Sequence, residues 1–159
     1  MFFEILIIII QGVDMRVKEI LSKKGPEVFT IGESKTLESA LQVLVSNNIG
    51  VLLVLNDSGK FVGIISERDI LRQVNSSPDN FLQVKVSELM TKKILYADFD
   101  DDLNYIESVM TMNKVRHLPV LREKVLVGLI SIGDIVKASL SDKQVENKYL
   151  FDYIAGNVK

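Results

Sequence analysis

"GIISERDI" (63–70) and "GLISIGDI" (128–135) share a glycine, two aliphatics, a serine, two free positions, an aspartate and an isoleucine, 65 residues apart. One such octapeptide is a weak signal, so the surroundings decide. "VKEIL" (17–21) answers "VSELM" (86–90), "VFTI" (28–31) answers "ILYA" (94–97), and "TLESALQVLVSNNIGVLLVL" (36–55) answers "DLNYIESVMTMNKVRHLPVL" (102–121). The turn "NDSGK" (56–60) is one residue longer than "REKV" (122–125), which shortens the offset from 66 to 65. A long unit present only twice predicts two copies of one supersecondary element rather than a solenoid.

Each copy carries the same local signals. Leu37, Ala40, Leu41 and Leu44 fall on one helical face behind the candidate N-cap Thr36, and Leu103, Ile106 and Met110 repeat that stripe behind Asp102. "GVLLVL" and "FVGIIS" flank the turn residues of "NDSGK" and predict a hairpin. A second helix follows, led by Ile70 and Leu71 in one copy and by Ile135 and Val136 in the other. The fold class is therefore α/β, with two β-α-β-β-α units whose leading strand is very short. Neither unit buries its apolar sheet face alone, so the two are expected to pack on each other. "NSSPDNFLQ" (75–83) reads as the connection between them.

Composition narrows the functional classes. At 159 residues and 47% hydrophobic content the chain suits one domain or two small ones sharing a core. A net charge of −2 without a clustered basic stripe argues against nucleic-acid binding. There is no Cys, which excludes disulfides, thiolate zinc sites and cysteine nucleophiles, and the single His117 leaves no histidine cluster for a metal or a triad. His117 itself reads as a structural histidine. The run Asp98, Asp100, Asp101 and Asp102 reads as helix-start chemistry rather than as a cation site. No nucleophile–base pair emerges, so the expectation is a non-catalytic protein with no catalytic cofactor and no metal.

The opening "MFFEILIIII" (1–10) is nearly all apolar but about half the length of a membrane helix, and it lacks the basic start and cleavage site of a signal peptide. Two readings stand: a strand packing on the body or at a dimer contact, or an extension upstream of a biological start at Met15. The expected location is cytoplasmic, with no membrane contact.

The order of elements, the "VGIIS…D" ending and "RHLPVL" resemble tandem CBS domains, the module named for cystathionine β-synthase. The resemblance spans roughly residues 17 to 140 and occurs twice. The tail "ENKYLFDYIAG" (146–156) is similar to the C-terminal helix that often follows the pair in stand-alone members. The organisation expected is an N-terminal extension (1–16), a first repeat (17–75), a linker (76–85), a second repeat (86–140) and a C-terminal helix or tail (141–159). The resemblance implies a pseudo-two-fold disc, usually a homodimer, that binds adenosine nucleotides such as AMP, ADP or ATP between its repeats. Its usual work is sensing, energy sensing included, or regulation of a separate protein.

The motif itself admits two physical roles. "GIIS" runs straight into a helix, placing Ser66 where backbone amides are unpaired and the dipole is positive, which suits a phosphate. Asp69, one turn on, suits vicinal ribose hydroxyls, Gly63 allows close approach, and Ile64 and Ile65 offer apolar surface for a base. Gly128, Leu129, Ile130, Ser131 and Asp134 repeat the set. Yet Ser-x-x-Asp before an apolar run is also a capping box, and the serine can cap while the aspartate faces a sugar. By resemblance, Thr30 and Ile31 lie where relatives offer a hydroxyl and backbone groups to the nucleotide. The second copy places Tyr96 and Ala97 there, and Arg116 falls where some relatives place a phosphate-contacting base. The proline familiar just beyond is replaced by Glu33 and Phe99. Two functions stay open: a nucleotide-binding sensor, or a dimerisation and interaction module with vestigial clefts.

Overall fold

The computed structural model describes residues 15–25, 27–140 and residue 151. The expectations for residues 1–14, and those for the tail at 146–156 apart from Phe151, fall outside these residues. In chain order the elements are helix α1 (Val17–Lys24), β1 (Thr30–Gly32), α2 (Leu37–Asn47), β2 (Val51–Leu55), β3 (Phe61–Ser66) and α3 (Glu67–Ser76). The second half repeats them as α4 (Val86–Leu89), β4 (Ala97–Asp98), α5 (Leu103–Asn113), β5 (His117–Arg122), β6 (Val125–Ser131) and α6 (132–140). Among the described residues no helix is long and apolar enough to cross a membrane.

The local signals explain these elements. Thr36 Oγ1 accepts from the Ser39 amide at 3.4 Å, and Asp102 Oδ1 accepts from the amides of Asn104 and Tyr105 at 2.8 and 3.1 Å, so both caps act at the helix starts. Leu37, Ala40 and Leu44 on α2, and Leu103, Ile106 and Met110 on α5, are buried. Both helices stop in a left-handed residue, Asn48 at φ 51° and Lys114 at φ 55°. Each half then forms a three-stranded sheet. β1 lies parallel to β2 and β2 antiparallel to β3, with a register shift at Val54/Leu55; β4, β5 and β6 repeat this with the shift at Val120/Leu121. In the first hairpin Asn56 Oδ1 accepts from the amides of Ser58 and Lys60, and Gly59 supplies a φ of 74°. The shorter second hairpin turns through Glu123 and Lys124 at φ 51° and 67°, a conformation that side chains other than Gly, Asn and Asp adopt at a cost.

The leading helices exchange partners. α1 packs into the second repeat's core, where Met15, Val17, Ile20 and Leu21 join Ala97, Ile106, Leu118 and Ile130. α4 packs into the first, where Val86 and Met90 join Ile31, Leu37, Leu52 and Ile65. Eight and four residues are too short for helices to persist alone, so this docking holds them. The amides of Val17 and Lys18 donate to the carbonyls of Asp101 and Phe99, and those of Val86 and Ser87 donate to Lys35 and Glu33. Glu33 and Phe99 also donate their own amides to the carbonyls of Leu55 and Leu121 at 2.8 and 2.9 Å. A proline at either place has no N–H to make that bond, which gives the departure from the family pattern a structural consequence.

The stretch expected as plain linker is partly ordered. α3 continues to Ser76, a single 3-10 turn forms at Phe81–Gln83, and the Val84 carbonyl accepts from the Leu37 amide. Val84 packs against the first core, which anchors the connection before α4 begins.

Candidate functional site

In each motif the strand ends on a serine that caps the next helix. Asp69 Oδ2 accepts from the Ser66 amide at 2.9 Å and from its hydroxyl at 2.7 Å. Asp134 Oδ2 accepts from the amide and hydroxyl of Ser131, both at 2.8 Å, and the Asp134 amide donates back to Ser131 Oγ at 3.2 Å. The capping role is therefore real in both copies, and it engages one oxygen of each carboxylate. Asp69 Oδ1 lies 4.0 Å from the Arg72 guanidinium.

The copies then diverge. Lys24, the last residue of α1, donates to Asp134 Oδ2 at 2.8 Å and to the Leu129 carbonyl at 3.3 Å. In the first copy the equivalent carbonyl, that of Ile64, accepts instead from the Thr91 amide at 2.8 Å, and no lysine reaches Asp69 among the described residues. Burial acts to raise the Asp134 carboxyl, but the hydrogen bonds from Lys24 and from Ser131 prevail and hold it below its ordinary value.

Asp69 opens on a cleft of about 660 Å³, within the roughly 300–1,000 Å³ range of small-molecule sites. Its walls come from matching positions of both repeats: Gly50 and Arg116, Val51 and His117, Ser66 and Ser131, Glu67 and Ile132, Arg68 and Gly133. The cleft thus crosses the pseudo-two-fold axis, and the starts of α3 and α6 both face it. Ile64, Asp69, Arg72 and Thr91 extend it on the first repeat's side, and Asn113, Lys114 and Val115 on the second's. Arg68, Arg72, Lys114 and Arg116 outnumber the carboxylates of Glu67 and Asp69. Burial foremost, then the cations of Arg116 and Lys24, push His117 below the usual histidine value, so it is neutral at pH 7 and adds no charge.

The expected residues divide accordingly. Ile64, Ser66, Asp69, Arg116 and Ser131 meet in this cleft, whereas Asp134 does not line it. The space beside Gly63 and Gly128 is filled by the exchanged helices rather than left for a ligand: a Cβ at Gly63 would lie 2.5 Å from Met90 Sδ, and one at Gly128 would lie 2.8 Å from Leu21 Cδ2. Ile31, Ile65, Ala97 and Ile130 are buried in the cores, so their side chains offer no surface for a base. Thr30 sits in β1 opposite Leu53, Tyr96 is exposed, and Leu129 gives its carbonyl to Lys24; none of the three lines the cleft. Sequence reasoning missed Lys114, Asn113, Thr91 and Gly50 as wall residues. Lys114 closes α5 as a left-handed cap, a conformation that its residue type does not announce in sequence. The carboxylates of Asp98 and Asp101 are spent on turn amides, Asp100 pairs with Lys18 at 2.7 Å, and Asp102 caps α5.

Fold and cleft together define a paired-repeat module with a ligand-sized crevice between the repeats. The CBS-domain family model matches residues 17–76 and 86–141, and the chain belongs to that family. A solved CBS-domain containing protein, ATU1752 from Agrobacterium tumefaciens, is 35% identical with a TM-score of 0.77, over 81% of this chain and 96% of that one. CBSX2, solved in complex with AMP, is 25% identical with a TM-score of 0.68, over 80% of this chain and 98% of that one. The mitochondrial CBS domain-containing protein CBSX3 of Arabidopsis thaliana is 31% identical over 125 residues, 76% of this chain. That alignment spans 61% of the plant protein's length.

Proposed function

We propose that the chain is a non-catalytic regulatory module that senses an adenosine nucleotide in the cleft bounded by Ser66 and Asp69. The observation that carries this reading is the convergence of a serine-capped helix start, a carboxylate with one oxygen outside the capping bonds and an excess of cations on one ligand-sized cleft. The helix start and cations suit phosphate, Asp69 Oδ1 suits ribose hydroxyls, and Ile64 suits a base. The AMP held by the relative CBSX2 supports the same ligand class. Occupancy would draw the two repeats together across the axis, a change that a partner protein reads. Thermal-shift titration with AMP, ADP, ATP, S-adenosylmethionine and NAD tests the reading. Stabilisation by at least one adenosine phosphate is expected, and no response to any of them overturns it.

A second reading, in which association is itself the function, draws on exposed apolar side chains along the helices: Val45 on α2, Leu71 on α3, Tyr105 and Met112 on α5 and Val136 on α6. A second copy of the chain is the proposed cover, so light scattering at micromolar concentration should give twice the chain mass. Vestigial clefts would leave that mass intact and the thermal-shift titration silent.

A further inference from the structure

A second cavity, of about 350 Å³, opens where the end of α5 and the start of α6 meet the start of α3. Met110, Val115 and Ile132 line it with apolar surface, and Arg68, Lys114 and Arg116 line it with cations. Arg68 comes from α3 of the first repeat, and the other five come from the second. Met110 is buried in the second core, and Val115 and Ile132 pack against that core, so the apolar floor is fixed. Among the described residues Arg68, Lys114 and Arg116 make no ion pair. The cavity borders the larger cleft and shares part of its wall, but Met110 and Thr111 belong to it alone.

The duplication shows that packing does not require these cations. The positions matching Arg68, Lys114 and Arg116 in the other copy are Gly133, Asn48 and Gly50, and Glu67 matches Ile132. The same fold therefore forms with no cation at any of the three places. Lys114 is also held at φ 55°, a left-handed conformation that suits the matching Asn48 better than a lysine.

Independently of the nucleotide reading, we infer that this cavity is a separate ligand site that takes a small carboxylate with an aliphatic body. The body covers Met110, Val115 and Ile132, while the carboxylate meets guanidinium groups from both repeats and the Lys114 ammonium. A bare phosphate answers the cations and leaves the apolar floor uncovered. A neutral hydrocarbon does the reverse.

NMR of the full chain with methyl-labelled methionine tests this, the Met110 methyl being assigned through Met110→Leu. Hexanoate should shift that methyl saturably, with hexanol and inorganic phosphate binding about tenfold or more weakly. Arg68→Ala and Lys114→Asn should each weaken hexanoate by about three- to tenfold and leave hexanol unchanged. Asparagine is chosen at position 114 because it tolerates the left-handed backbone there. A peptide ending in a free leucine carboxylate distinguishes the source. Tighter binding than hexanoate supports the site with a protein C-terminus as ligand, and weaker binding supports it with a free acid. No saturable shift, hexanol or phosphate binding as well as hexanoate, or unchanged hexanoate affinity in both variants would each overturn the assignment. A thermal-shift response to AMP without a hexanoate response removes this inference alone, and the converse removes the nucleotide reading alone.

Discussion

Lys24 Nζ lies 2.8 Å from Asp134 Oδ2, whereas among the described residues the nearest cation to Asp69 in the sister motif is the Arg72 guanidinium at 4.0 Å. One repeat's motif carboxylate is neutralised from within, by the end of a helix that belongs in sequence to the other repeat. The duplicated octapeptide thus does two jobs: both copies cap a helix, and only the first presents its aspartate to the cleft.

Replacing Lys24 by methionine keeps the stem and removes the ammonium. The pair is partly exposed, so the loss should be about 0.5–1 kcal/mol at pH 7 by urea denaturation. The folded Asp134 carboxyl sits below 3.8, so its contribution is present above that value and disappears as pH falls through the folded one. The difference between wild type and Lys24→Met should therefore close as pH drops below 3.8. A difference that persists with the carboxylate protonated would assign the effect to packing.

His117 gives a second pH dependence of opposite origin. Its folded value lies below 6.5, so between the two values the unfolded chain binds a proton that the folded chain does not. Stability should be full above 6.5 and fall as pH drops through that window toward the folded value. His117→Gln should flatten the urea midpoint between pH 7.5 and 5. An unchanged slope in the variant would place the titrating group elsewhere.

Gly63 gives up its Cβ to the exchanged helix. Gly63→Ala sets a methyl against Met90 and should cost about 1–3 kcal/mol as over-packing. The double variant Gly63→Ala, Met90→Ala should recover part of that loss relative to Met90→Ala alone. Additive losses in the double-mutant cycle would mean the two side chains do not meet.

Much of this was legible in the chain. Thr36 and Asp102 announced their helices because cap chemistry is local, and the "NDSGK" hairpin followed from Asn56 and Gly59 for the same reason. The exchange of α1 and α4 was not legible. "VKEIL" and "VSELM" show an apolar face but nothing that says which sheet it covers, since both sheets present the same pattern. That gap misled the reading of Gly63 and Gly128, whose open side proved to face a helix. The doubled motif carries the same serine and aspartate in both copies. Lys24 breaks that symmetry from a position 110 residues away from Asp134, a relationship that only the fold creates.

The central claim is that Asp69 carries ligand binding in addition to capping its helix. Calorimetric titration of wild type, Asp69→Asn and Asp134→Asn with ATP tests it most directly. Asp69→Asn should weaken binding by about 1.5–3 kcal/mol, roughly ten- to a hundredfold, since charge-assisted acceptors to the sugar are lost. Asp134→Asn should leave affinity within about threefold and cost about 1 kcal/mol of stability instead. Unchanged affinity in Asp69→Asn, with only stability lost, would reduce the motif to a pair of helix caps and contradict the account.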